Sequence, residues 1–96
     1  MKTVTVTIQI GNSDDKLTQR DWSYFINAMR SEIVQTGEVH FEGGSRNDCR
    51  WQNFCWVVAV PNDLDQIASL KMRVEHIRKN YSQDSAAFTP GETLFV

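Results

Sequence analysis

An α+β sandwich, two helices packed on one face of a four-stranded sheet, is the fold that this sequence predicts. Three observations lead there. Apolar residues recur at every second position over 3–10; two longer stretches repeat them every third or fourth position; and short β-prone runs lie between and after those stretches. Thr3 to Ile10 puts Val4, Val6, Ile8 and Ile10 on one face and Thr3, Thr5, Thr7 and Gln9 on the other, the alternation of a half-buried strand. Gly11-Asn12-Ser13-Asp14-Asp15 then supplies turn chemistry, since the Asn, Ser and Asp side chains bond nearby backbone amides. Thr18 with Asp21 reads as a variant capping box, and Leu17 with Trp22 as a hydrophobic staple. The helix that follows carries the stripe Trp22, Phe25, Ile26, Met29 and Ile33, and Gly37 is placed to end it.

Val39-His40-Phe41-Glu42 alternates again and predicts a second strand. Gly43 to Arg50 reads as a loop, and Trp51 to Val60 as a central strand, apolar on both faces from Phe54 onward. After Pro61-Asn62-Asp63, Asp63 and Gln66 can cap a second helix with the stripe Ile67, Leu70, Val74, Ile77 and Tyr81; the basic residues at its end suit the helix dipole. Ser82 to Ser85 reads as a loop, Ala86 to Thr89 as a fourth strand, Pro90-Gly91 as a turn or bulge, and Thr93 to Val96 as a terminal strand segment. The order β-α-β-β-α-β is that of the ferredoxin-like sandwich, with antiparallel sheet order 4-1-3-2, in one domain spanning 1–96.

Composition narrows the function. The chain has 96 residues, 41% hydrophobic and 23% charged, enough for one core and too few for two. Ten Lys and Arg against twelve Asp and Glu leave a net charge of −2, which argues against binding nucleic acid through phosphate contacts. No apolar run approaches the roughly 18–20 residues of a membrane span, and the first residues alternate instead of forming a signal-peptide core, so no membrane partner and a cytoplasmic location are expected. Cys49 and Cys55 with His40 and His76 lack the paired spacing of a zinc site; no metal and no cofactor are expected. Phe54 and Trp56 invite comparison with the stacking aromatics of RNA-recognition motifs, but the basic start and the glycines of that motif are missing, and the plainer reading makes both rings core.

The predicted topology brings three polar segments to one edge of the sheet, and loops on a rigid scaffold are common binding positions. The candidate ligand contacts are Asn12, Ser13, Asp14, Asp15, Lys16 and Gln19 from the first segment, Arg46, Asp48, Arg50, Trp51 and Gln52 from the second, and Tyr81, Gln83, Asp84 and Ser85 from the third. Backbone amides at the start of helix one and the arginines suit a small polar, anionic or nucleotide-like ligand, with Trp51 or Tyr81 as a stacking surface. The plainer reading is that long loops need polar turn formers whatever they do. As an alternative, the same loops block a host protein, with Asp14-Asp15 and Glu42 meeting a basic patch. A third possibility is a small enzyme using Cys49, His40, Asp48 or Asp84, which no spaced motif assembles; no catalytic residue is therefore expected. The uncovered sheet face, with Cys55, Val57 and Ala59 on its central strand, predicts a homodimer.

T-V-T-I-Q-I-G-N-S-D-D-K-L-T-Q running to Trp22, the aromatic strand W-Q-N-F-C-W-V-V, and the end Y-S-Q-D-S-A-A-F with G-E-T-L-F-V together resemble small ferredoxin-like proteins of bacteriophages and bacteria. The resemblance spans most of the chain as a pattern and implies a counter-defence role in the host cytoplasm, either holding a nucleotide-derived signal or blocking a defence protein.

Overall fold

The computed structural model of the chain describes residues 2–12, 16–46, 49 and 51–96. Its elements are β1 (Thr3–Asn12), α1 (Gln19–Thr36), β2 (Glu38–Gly44), β3 (Gln52–Pro61), α2 (Leu64–Asn80) and β4 (Ala87–Gly91). The four strands form one sheet in the order β2-β3-β1-β4, and every neighbouring pair is antiparallel. This is the predicted ferredoxin-like sandwich, with the sheet order read from its other side.

Alternation decides which residues are buried. Val6, Ile8 and Ile10 of β1 and Trp56, Val58 and Val60 of β3 are at most 3% exposed and face the helices. Against them lie Trp22, Phe25, Met29 and Ile33 of α1 and Leu70, Val74 and Ile77 of α2, each stripe at helical spacing. Fully burying such a side chain contributes about 1.5–3 kcal/mol. Phe54 and Trp56 resolve to the helix side: Trp56 is fully buried, and Phe54 packs on the core with its ring centroid 4.8 Å from that of Trp56. Both helices start as expected. The Thr18 side chain accepts from the amide of Asp21, and Asp63 accepts from those of Asp65 and Gln66.

Among the described residues, no helix covers the opposite face of the sheet, and only the C-terminal segment borders it at the Thr5–Ala59 end. In register, Thr5, Thr7 and Gln9 of β1 stand beside Ala59, Val57 and Cys55 of β3, and Thr7 is also paired with Thr89 of β4.

Four details depart from the sequence reading. β2 runs on through Gly43 and Gly44, which read as loop; a side chain on Gly44 would meet the Asn53 carbonyl at 2.3 Å, so close approach to β3 is what Gly44 provides, while Gly43 makes room for the Phe41 ring. β3 begins at Gln52, leaving Trp51 outside it. β4 continues through Pro90 and Gly91, a place open to proline because β4 is an edge strand. Thr93 to Val96 forms no strand; the hydroxyls of Thr93 and Thr5 are hydrogen-bonded, while Leu94 and Phe95 lie exposed. Gly37 does end α1, in extended backbone (φ −160°) instead of the left-handed conformation usual at a helix end.

Candidate functional site

At one edge of the sheet, amide side chains link described residues of the first and second polar segments, and an ion pair links the first to the third. Asn12 is the last residue of β1 and continues the inward face of Ile8 and Ile10, so it is only 1% exposed. A carboxamide buried to that extent needs partners for both of its ends. Its Oδ1 accepts from the Leu17 amide at 3.0 Å and its Nδ2 donates to the Leu17 carbonyl at 3.0 Å, which closes the turn between β1 and α1. Register places Asn12 opposite Gln52, the first residue of β3. Gln52 is 4% exposed and forms a reciprocal amide pair with Gln19 of α1, at 2.9 and 2.8 Å; its Oε1 also lies 3.4 Å from Asn12 Nδ2.

Asn12, Gln19 and Gln52 thus lock the end of β1, the start of α1 and the start of β3 into one frame. Asn12 and Gln52 lie beneath the surface, and Gln19 sits at it. Lys16 adds an ion pair across the edge, its Nζ 3.6 Å from Asp84, with both side chains largely in solvent. Exposed pairs of this kind contribute at most about 1 kcal/mol.

The segment after α2 is tightly wound. Ser82 takes a left-handed conformation (φ 58°), the Gln83 amide donates to the Arg78 carbonyl at 2.9 Å, and Arg78 Nη1 donates to the Gln83 carbonyl at 3.1 Å. Gln83 is buried, with Nε2 donating to the Tyr81 carbonyl at 3.2 Å. Tyr81 stacks on Phe25 with centroids 5.0 Å apart and belongs to the margin of the core. Ser85 borders a separate concavity of about 250 Å³ alongside Lys71 and Arg78.

Two expected contacts stand at the surface of the second segment. Arg46 is exposed, and its carbonyl accepts from the Cys49 amide at 3.0 Å. Trp51 is 66% exposed, while its carbonyl accepts from Asn53 Nδ2 at 3.3 Å. Ser13, Asp14, Asp15, Asp48 and Arg50 lie outside the described residues. The edge therefore has a rigid amide frame, the exposed Trp51 next to Gln52 in the chain, and the exposed cations Lys16 and Arg46 on the adjoining segments.

Of the residues weighed for catalysis, Cys49 and Asp84 lie on loops at the three-loop edge, Asp48 is outside the described residues, and His40 lies elsewhere. Residue 40 falls where the β2 register shifts opposite Val57 and Val58, in the half of the sheet away from the loop that carries Cys49. Cys55 belongs to the open face, and burial pushes its thiol pKa up. Among the described residues, no group of three or more His, Cys, Asp and Glu side chains could hold a metal ion. Among the described residues, no helix is long and apolar enough to cross a membrane.

Two features escaped the sequence reading. One is a clasp between α1 and β2. Arg30 Nε and Nη2 bond Glu42 at 2.9 and 3.0 Å, Arg30 Nη1 donates to Asn27 at 2.6 Å, and the indole N–H of Trp56 donates to Glu42 at 3.1 Å. The hydrogen bond from Arg30 holds the Glu42 carboxyl below its usual pKa, and the Trp56 bond adds to this. The other is a concavity of about 480 Å³ at the far edge, where Phe95 and Glu92 stand over Lys2, Thr5 and Ala59. Comparison of the chain with family models, with curated proteins and with solved structures gives no match.

Proposed function

We propose that this is a non-catalytic binding protein that holds a small polar, anionic, nucleotide-like ligand at the three-loop edge. The observation that carries the reading is the Asn12–Gln52–Gln19 frame, followed directly in the chain by a Trp51 that is two-thirds exposed. A frame with its polar atoms already satisfied does not rearrange when a ligand arrives, so binding costs little ordering. An exposed indole whose backbone adjoins such a frame offers a flat stacking surface, and Lys16 and Arg46 supply charge for an anionic group. On this reading Asn12 and Gln52 hold the site in shape, and Trp51, Lys16 and Arg46 touch the ligand. The resemblance to small phage and bacterial proteins adds a purpose: removal of a nucleotide-derived defence signal from the host cytoplasm.

The test is native mass spectrometry of freshly purified protein, followed by mild denaturation to release any bound molecule. It is paired with melting curves against a panel of mono-, di- and cyclic nucleotides. A retained small anion, or a melting temperature raised by one nucleotide class and left unmoved in Trp51→Ala, supports the reading. No bound molecule and no stabilisation by any member of the panel refutes it. The exposure of Trp51 also favours a second reading, in which the same edge anchors on a host protein, because tryptophan is prominent among the residues that carry interface energy. A stoichiometric protein adduct that Trp51→Ala abolishes would move the assignment there.

A further inference from the structure

We infer that the open face of the sheet is a self-complementary interface that pairs with a second copy of this chain. The folded chain is a slab measuring 41 × 29 × 18 Å with helices on one side only. The register gives the open face its chemistry. Thr5, Thr7 and Gln9 lie beside Ala59, Val57 and Cys55, and all six are uncharged. The flanking strands add Thr89 and Ala87 on one side and Phe41 and Gly43 on the other, again without charge. The charge that register puts on this face is Glu38, at a corner of the sheet opposite Ala59, and Lys2, His40 and Glu92 border the same end, beside Thr5 and Ala59 and away from the central Thr7–Val57 pair. In a chain with 23% charged residues, this segregation leaves the charges to the helices, loops and rim.

Charge is also the argument for a second copy as the occupant. A two-fold interface brings groups near its axis against their own images, so any charge there would meet its like. The centre of this face, the Thr7–Val57 pair of the two middle strands, has none. Phe41 is 55% exposed, and its ring lies over Gly43, where an added Cβ would come within 2.8 Å of it. An apolar ring laid along the face is thus presented to a partner. Phe95, 90% exposed, continues the apolar surface from the end where Thr93 is bonded to Thr5.

Pairing through the edges is disfavoured. β4 is short and carries Pro90, and β2 breaks register between Val39 and Phe41 and carries Glu38 and Glu42, all devices that blunt an edge strand. From strand spacing and rise, the face covers roughly 20 by 25 Å, about 500 Å² in projection. Its accessible area, corrugated and extended by Phe95, approaches the lower end of the ~800 Å² per partner typical of specific complexes. The pairing is therefore a weak, reversible one, with a Kd of roughly tens of micromolar.

Sedimentation equilibrium from about 1 µM to about 1 mM, a range that brackets this Kd, tests the inference. The weight-average mass should rise from 11.0 kDa toward twice that value. Thr7→Lys and Thr7→Glu each put like charges across the axis, which costs several kcal/mol, so each should weaken association by more than about 100-fold. The Thr7 side chain lies on the uncovered face, so both variants should keep the parent's circular dichroism and its melting temperature at low concentration. An equimolar mixture of the two should associate again, because the ammonium introduced in one copy then meets the carboxylate introduced in the other. Met72→Lys on α2, exposed on the helix layer, should associate like the parent. The inference is overturned if the parent stays at 11.0 kDa throughout, if Thr7→Lys associates undiminished, or if the mixture stays monomeric.

Discussion

Replacing Glu42 by alanine removes an acceptor shared by Arg30 and Trp56. The two losses differ in kind. The side chains of Arg30 and Glu42 are 35% and 37% exposed, so water and salt screen the ion pair and its loss costs about 0.5–1 kcal/mol. Trp56 is fully buried, and its indole N–H loses its partner; an orphaned buried donor costs about 1–3 kcal/mol, with the lower end applying if water enters the vacated place. The sum is about 1.5–4 kcal/mol, which for a domain this small lowers the melting temperature by roughly 6–30 °C. Urea unfolding followed by tryptophan fluorescence reads it directly. The diagnostic measurement is the double-mutant cycle with Trp56→Phe, which removes the donor. On its own, Trp56→Phe costs packing, but in the Glu42→Ala background it also removes the orphan, so the two changes should couple by about 1 kcal/mol or more. Additive costs would refute the claim that the indole N–H depends on Glu42.

Three further outcomes are expected. Asn12→Ala leaves the amide and carbonyl of Leu17 without their partners and should cost about 2–4 kcal/mol, with the Leu17 amide losing its hydrogen-exchange protection. Gly37→Ala would force a Cβ to 2.3 Å from the Ala59 carbonyl and 2.9 Å from Val60, an overpacking that destabilises by about 1–3 kcal/mol in chemical denaturation. Glu42 has its pKa lowered in the folded state, so the clasp stabilises fully above the ordinary value of 4.5 and fades as pH falls through the lower folded value; melting temperature should drop over that acid range, and Glu42→Gln should flatten the drop. An unchanged acid limb in Glu42→Gln would show that other carboxylates set it.

Much of this architecture was legible because few solutions satisfy its periodicities. β1 and α1 each bury one stripe, and a stripe of period two needs a layer of helices over it. Asn12 and Gln52 show what a weaker use of the same signal missed. Their residue types suggested turn and ligand chemistry, yet Asn12 extends the series Val6, Ile8, Ile10, and Gln52 extends Trp56, Phe54 backwards. Parity alone places both amides under the helices, where they pair in register. The Arg30–Glu42 clasp carries no such local signal, since its partners lie on separate elements.

β2 explains why the clasp was hidden. In V-H-F-E, plain alternation sets Val39 and Phe41 on one face, with His40 and Glu42 on the other. The structure pairs Val39 with Val58 but Phe41 with Val57, so one extra residue enters at His40 and the faces exchange beyond it. Val39 turns to the core while Phe41 goes to the open face, and Glu42 comes opposite Trp56 on the helix side, within reach of Arg30. A single inserted position thus creates both the α1–β2 clasp and the aromatic surface of the open face. Neither can be moved without the other, because a register shift carries every later side chain to the opposite side of the sheet.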